Sequence, residues 1–239
     1  MPTPLPPDPV NLGLAPEPPH LANRDSSLHR IMHLAGGQRT DYFIKSFKAS
    51  PLRQRLAARF NRHPAQREAL WQARLAGLGL PAATPLHHWM ARPGDYRMLY
   101  PDLGQPLPQW WKQQHATEDF KHRRNLAHQL GQLLAKLAAA YILWPTAHAN
   151  DFFVAPDHTL QFINAGSCRG ARGIPLLARL LPLMQQVQAD LHAAAKGHPQ
   201  PHRVRPNRTD RLQVYRAMLH TFPEPLDGMQ HLPTHADLK

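Results

Sequence analysis

The sequence predicts an α+β fold in two lobes, a small, mostly β part followed by a mostly helical part. Three observations predict it. Short runs with strand-like alternation recur in the first hundred residues. Runs with helical spacing dominate the remainder. The regular βαβ alternation of a doubly wound sheet is missing from the order of elements. At 239 residues the chain is long enough for one two-lobed domain with a sizeable core.

Taken in order, residues 1–25 carry eight prolines and little that could enter a core, so they predict a disordered, Pro-rich arm. "SLHRIMHLAGGQRTDYFIKSFKAS" predicts two strands around a "GGQRTD" turn. In the second strand Phe43, Lys45 and Phe47 share one face, and Tyr42, Ile44 and Ser46 the other. A lysine between phenylalanines is either an edge-strand charge or a side chain aimed into a cleft. "HPAQREALWQARLAGLG" predicts a helix with Pro64 in its first turn and Gly77, Gly79 and Pro81 at its end. Glu68, Trp71, Leu75 and Leu78 follow helical spacing, which puts Glu68 on the apolar stripe. A carboxylate there wants a cationic partner, and Lys45 is the upstream candidate.

"PLHHWMARPGDYRMLYPDLG" predicts a second strand pair with its turn at "RPGD", and "PLPQWWKQQ" a short amphipathic piece. The strongest helix runs from about Glu118 to Ile142, capped by Thr117, with a stripe of Leu126, Leu130, Leu133, Leu134, Leu137 and Tyr141. "DFFV" and "LQFIN" then flank a "PDH" turn, with Asp157 as the turn residue. "IPLLARLLPLMQQVQADLHAAA" is helical but interrupted at Pro182. It is followed by the basic stretch "HPQPHRVRPNRTDR", by "LQVYRAML", and by a mobile tail over 223–239.

The net charge is +12, so anionic partners are favoured: phosphorylated substrates, nucleic acid or an anionic membrane face. Arg169, Arg172 and the arginines from Arg203 to Arg211 are candidates for sugar phosphate or anionic lipid, or else a solvated surface. One cysteine, Cys168, excludes an internal disulfide and cysteine-type zinc clusters. No secretory signal and no apolar run long enough to span a bilayer are evident. The expected location is the cytoplasm, with peripheral contact at the inner membrane face as the accessory expectation.

Polar groups gather around the predicted hairpin: His148, Asn150 and Asp151 before its first strand, and Asn164 at the end of its second. They are strand-end groups satisfying turn amides, or members of a site. "YFIKSF", "RHPAQREALWQARLAGLGLPAATPL", "LGQLLAKLAAAYI" and "NDFFVAPDHTLQFINAGSCR", in that order, resemble the lipopolysaccharide core kinases. This is the Kdo/heptose kinase branch of the protein-kinase-like fold, and the resemblance covers roughly residues 27 to 190. It implies a kinase-like N-lobe over 26–101 and a kinase-like C-lobe over 102–222, with "YRMLYPDLG" as the connecting hinge, where backbone groups of Leu99 to Leu103 would contact adenine. It also implies that Lys45 holds ATP phosphates and that Glu68 pairs with it.

In the kinase catalytic loop an aspartate acts as base and an asparagine five residues later holds metal. The resemblance puts Asp151 at that asparagine and Thr146 at the aspartate. Asn164 falls where a second, metal-binding aspartate is expected. Thr146 cannot serve as a base near neutral pH, and carboxylate and amide are exchanged between 151 and 164. Mg²⁺ or Mn²⁺ bound with ATP would meet Asp151 and Asn164. His148 is a substitute base or a phosphate contact, or a structural residue. Loss of a general base costs roughly 10²- to 10⁴-fold in rate. The resemblance therefore implies a pseudokinase-like protein that binds nucleotide or partners an active kinase. The alternative is an active ATP-dependent kinase of a lipopolysaccharide core sugar, with Asp151 on metal. A third reading, a basic nucleic-acid-binding module, has charge in its favour but no recognised motif, so specific nucleic-acid binding is not expected.

Overall fold

Strand β3, Gln38–Phe47, runs through the middle of a five-stranded sheet. The computed structural model describes residues 21–22, 26–35, 38–47, 63–92, 95–114 and 120–221, and over these the protein is α+β. The sheet is antiparallel in the order β1-β2-β3-β5-β4, with β1 Leu21–Ala22, β2 Ser26–Ala35, β4 His87–Arg92 and β5 Asp95–Pro101. β1 falls inside the stretch expected to be an arm. It pairs Leu21 with Leu28 and so has a ladder to join. The rest of that arm, the "GG" and "PG" turn residues, the Thr117 cap and the tail over 223–239 lie outside the described residues.

Two compact units are present. The first holds the chain through Leu107 together with 150–157 and 161–167. The second holds 108–149, 158–160 and the chain from Cys168 onward. The sequence expectation broke the chain once, after residue 101. In the structure the strands of the hairpin group with the first unit, because β6, Gln105–Pro106, pairs with β8, Phe152–Val154. Gly104 makes this possible. Its φ is +79°, and a Cβ there would stand 2.0 Å from the Val154 carbonyl oxygen.

In the first unit both faces of the sheet are buried. Leu28, Phe43, Phe47, Met98 and Tyr100 form a core with Phe153 and Ile163, and Ile31, Tyr42, Ile44 and Leu99 form a second on the other face. Helix α1, Pro64–Gly77, buries Ala65, Glu68, Gln72 and Leu75. The predicted stripe differs: Leu78 is exposed and Trp71 is half-buried, so Gln72 occupies the inward position next to Glu68. Tyr96 to Gly104, expected as a hinge, lies wholly within this unit. Leu99 and Tyr100 end β5 in the core and Leu103 is fully buried.

His63 caps α1. Its Nδ1 accepts from the Ala65 amide at 3.1 Å, and its ring lies 4.0 Å from that of Tyr96. Burial holds the imidazole below its ordinary value near 6.5, which keeps Nδ1 unprotonated and able to accept. The folded pKa is below the unfolded one, so this contribution is present above about 6.5 and is lost as pH falls through the window beneath it. His63→Asn keeps a capping acceptor without titrating. The expected result is a smaller loss of melting temperature between pH 7 and pH 5 in His63→Asn than in the parent, read by calorimetry at both values.

The second unit is built on α3, Phe120–Ala139, which packs against α6, Arg208–Thr221. They meet at Gly131, where a Cβ would stand 2.3 Å from the Val214 carbonyl oxygen. Leu126, Leu133, Leu134 and Leu137 are buried as predicted, and Leu130 is half-buried. Tyr141 is not part of the stripe. The helix ends two residues earlier, Tyr141 takes φ +53° and is exposed, and Ile142 begins strand β7, Ile142–Leu143, paired with β10, Arg169–Gly170. Arg179 Nη1 donates to the Ala138 carbonyl, satisfying one of the acceptors the helix end exposes.

Arg179 belongs to α4, Leu176–Lys196, which continues through Pro182 instead of breaking there. Proline removes one backbone bond, but Leu180, Leu183, Val187, Leu191 and Ala195 bury a stripe along the helix on both sides of it. Short helices α2, Leu107–Gln113, and α5, Pro201–Val204, complete the described helices, and β9, Leu160–Phe162, completes the strands. No described helix is long and apolar enough to cross a membrane.

Candidate functional site

Lys45 is placed by alternation. On its face of β3 it stands between Phe43 and Phe47, and the ladder sets it opposite Leu28 on β2 and Met98 on β5. Its side chain is 4% exposed, and an unpaired ammonium in such surroundings would cost several kcal/mol. Nζ donates to Glu68 Oε2 and to Asn164 Oδ1, and it lies 4.8 Å from the centre of the Phe47 ring.

Glu68 comes from the buried face of α1 and is equally enclosed. Its second oxygen accepts from the Tyr100 hydroxyl at 3.2 Å, the Asn164 backbone amide at 3.2 Å and Gln72 Nε2 at 3.4 Å. Gln72 and Tyr100 also bond to each other at 3.0 Å. Burial, followed by the Glu68 charge, pushes the Tyr100 hydroxyl well above its ordinary value, so it remains a donor. The Lys45–Glu68 pair is thereby held by a second ring of neutral donors, the condition under which a buried ion pair is tolerated.

Asn164 follows β9 and has φ +65°, a conformation asparagine accepts more readily than most residues. This turn feeds the 3₁₀ turn Ala165–Ser167, which packs on α1. Gly166 lies beside Glu68, where even a Cβ would be in ordinary contact at 3.5 Å. Asn164 Nδ2 donates to Asp151 Oδ1. Asp151 is 5% exposed at the end of a 3₁₀ turn, Ala149–Asp151, and its carbonyl accepts from the Ile163 amide at 2.9 Å. The result is a continuous chain, Glu68–Lys45–Asn164–Asp151, drawn from β3, α1 and both ends of the hairpin.

The structure thus brings four of the six candidate residues together in the first unit. The other two belong to the second unit. Thr146 is exposed in a turn. His148 is exposed and its Nδ1 lies 3.3 Å from Asp190 Oδ2, which also accepts from the Ala149 amide at 2.8 Å. Gln186 braces this carboxylate at 2.8 Å. Cys168 is buried. The sequence reading missed Gln72 and Tyr100. Gln72 sits four residues after Glu68, and Tyr100 lies on the face of β5 that β3 turns toward Phe43, so both signals were present as spacing.

A divalent cation would find oxygen donors of the hard type in Asp151 and Asn164. Asn164 Oδ1, however, already accepts from Lys45. No group of three or more His, Cys, Asp or Glu that could hold a metal ion exists among the described residues. Two oxygen-bearing side chains would leave most of a cation's coordination positions to other donors. Compared with models of known protein families and with curated proteins, the sequence matches none of them.

Proposed function

We propose that this chain is a catalytically impaired, pseudokinase-like protein of protein-kinase-like fold, resembling the lipopolysaccharide core sugar kinases, whose first unit binds a nucleotide polyphosphate at Lys45. The observation that supports it best is the enclosed Lys45–Glu68 pair, supplied by a sheet and the helix after it and continued to Asn164 and Asp151. A lysine held by a glutamate is ready to meet phosphate, because its ammonium is already oriented and desolvated. Phosphate oxygens would replace Asn164 Oδ1 as its second partner. Mg²⁺ or Mn²⁺ accompanying ATP would be held by Asp151 and the released Asn164 oxygen, and would neutralise phosphate charge. Thr146 offers no carboxylate to take a hydroxyl proton, and this supports impaired transfer.

A thermal-shift titration with ATP, with and without Mg²⁺ or Mn²⁺, tests this reading. At ten times Kd the gain is about 1.4 kcal/mol, a rise of roughly 3–5 °C for a chain of this size. The rise should need the metal and should vanish in Lys45→Ala, each variant compared with its own ligand-free midpoint. No shift at millimolar ATP would overturn the nucleotide reading. Rapid, metal-dependent phosphate transfer to a core sugar, abolished by Lys45→Ala, would overturn the impairment.

A further inference from the structure

Over the full sequence the second unit carries fifteen lysines and arginines against seven acids, a net +8 of the chain's +12. The described residues there hold fourteen lysines and arginines against two acids, Asp190 and Asp210. Neither acid offsets the surface excess. Asp190 is engaged by His148, Gln186 and the Ala149 amide, and Asp210 is 3% exposed and paired with buried Arg123.

Helix α6 shows how part of this charge is displayed. Asp210, Ala217 and Met218 point inward. On the opposite arc, at helical spacing, lie Arg208, Leu212, Arg216 and Leu219. All four are exposed, the leucines by 41% and 53%. Arg203 and Arg205, just before the helix, are exposed as well. Burial, and then the charges of Arg205 and Arg211, hold the His192 imidazole below its ordinary value.

We propose that the exposed arc of α6 docks this unit on an anionic lipid surface. Arginines alone would suit any polyanion. Two leucines presented between them do not help a nucleic-acid backbone, whereas a lipid interface takes both, the guanidinium groups at the headgroups and the leucines just beneath. The helix therefore lies in the plane of the interface and does not cross it. This docking needs neither Lys45 nor nucleotide.

Flotation of the full chain with vesicles tests it. Vesicles of phosphatidylcholine containing one-third phosphatidylglycerol should carry the protein, and pure phosphatidylcholine should not. Each arginine is expected to contribute about fivefold, so Arg208→Gln with Arg216→Gln should weaken partitioning roughly 20-fold or more. Leu212→Gln with Leu219→Gln should weaken it by about tenfold at unchanged net charge. All four side chains are exposed, and an unchanged melting temperature verifies that each variant folds. Absence of flotation with the anionic vesicles would overturn the proposal. So would flotation that the leucine pair does not affect, or duplex DNA binding at physiological salt that outcompetes the vesicles, since either outcome assigns the patch to charge alone.

Discussion

Replacing Lys45 with methionine should destabilise the protein by about 3–5 kcal/mol, measured by urea denaturation at pH 7. The loss comes less from the missing bonds than from what remains. Glu68 is buried to the same degree as Lys45 and would stay enclosed with its charge unpaired. Its other oxygen is committed to Tyr100, Gln72 and the Asn164 amide, so the carboxylate cannot turn out to water without abandoning all three. The second variant that isolates this cause is Lys45→Met with Glu68→Gln. A glutamine side chain keeps an acceptor for Tyr100 and the Asn164 amide and removes the charge. More than half of the lost stability should return. If the double variant is as unstable as the sum of the two single changes, the uncompensated charge is not the cause.

Arg123→Met should cost a similar amount, about 3–5 kcal/mol, in the second unit. Arg123 is 1% exposed and its guanidinium ties the chain together at three points. Nη1 donates to the Arg203 carbonyl at 3.1 Å, and Nη2 to the Arg205 carbonyl at 2.7 Å and to Asp210 Oδ2 at 2.5 Å. Its plane also lies over the Trp111 ring at 4.5 Å, and Trp111 Nε1 donates to the Val204 carbonyl at 2.8 Å. Removal strands two carbonyls and leaves the Asp210 carboxylate bonded to the Asn207 amide but without its cation, so the segment between α5 and α6 should open. Limited trypsin digestion should then cut first after Arg203. Arg123→Lys should rescue little, because one ammonium cannot serve three acceptors in the directions the planar guanidinium does. Full stability in Arg123→Lys would contradict this account.

Much of this fold was legible from periodicity, and the exceptions have physical reasons. The alternation of "YFIKSF" placed Lys45 on one face with Phe43 and Phe47, and the spacing of α1 placed Glu68 inward. Their meeting was readable because a buried carboxylate requires a cation. Gln72 escaped because hydrophobicity favours Trp71 as the inward residue, whereas burial on α1 was decided by the polar needs of Glu68 and Tyr100. Arg123 and Asp210 are 87 residues apart, and no local pattern announces a pair at that separation. Pro182 was overread as a break because proline's local cost is visible in sequence, while the packing on either side that offsets it is not. The grouping of 150–157 and 161–167 with the first unit depends on strand pairing, which periodicity does not specify.

The amide of Asn164 has a consequence for how this site can change by mutation. It accepts from Lys45 through one atom and donates to Asp151 through the other. Exchanging the two residues, asparagine at 151 and aspartate at 164, would preserve both contacts and the total charge: the carboxylate would accept from Lys45 and from the amide. The two single steps leading there are unequal. Asp151→Asn leaves two amides, which still bond to each other. Asn164→Asp leaves two carboxylates face to face with no hydrogen between them, an arrangement that needs a proton or a cation to hold. Of the two routes between these orders, the one through the paired amides is the one that adds no second buried carboxylate beside Asp151.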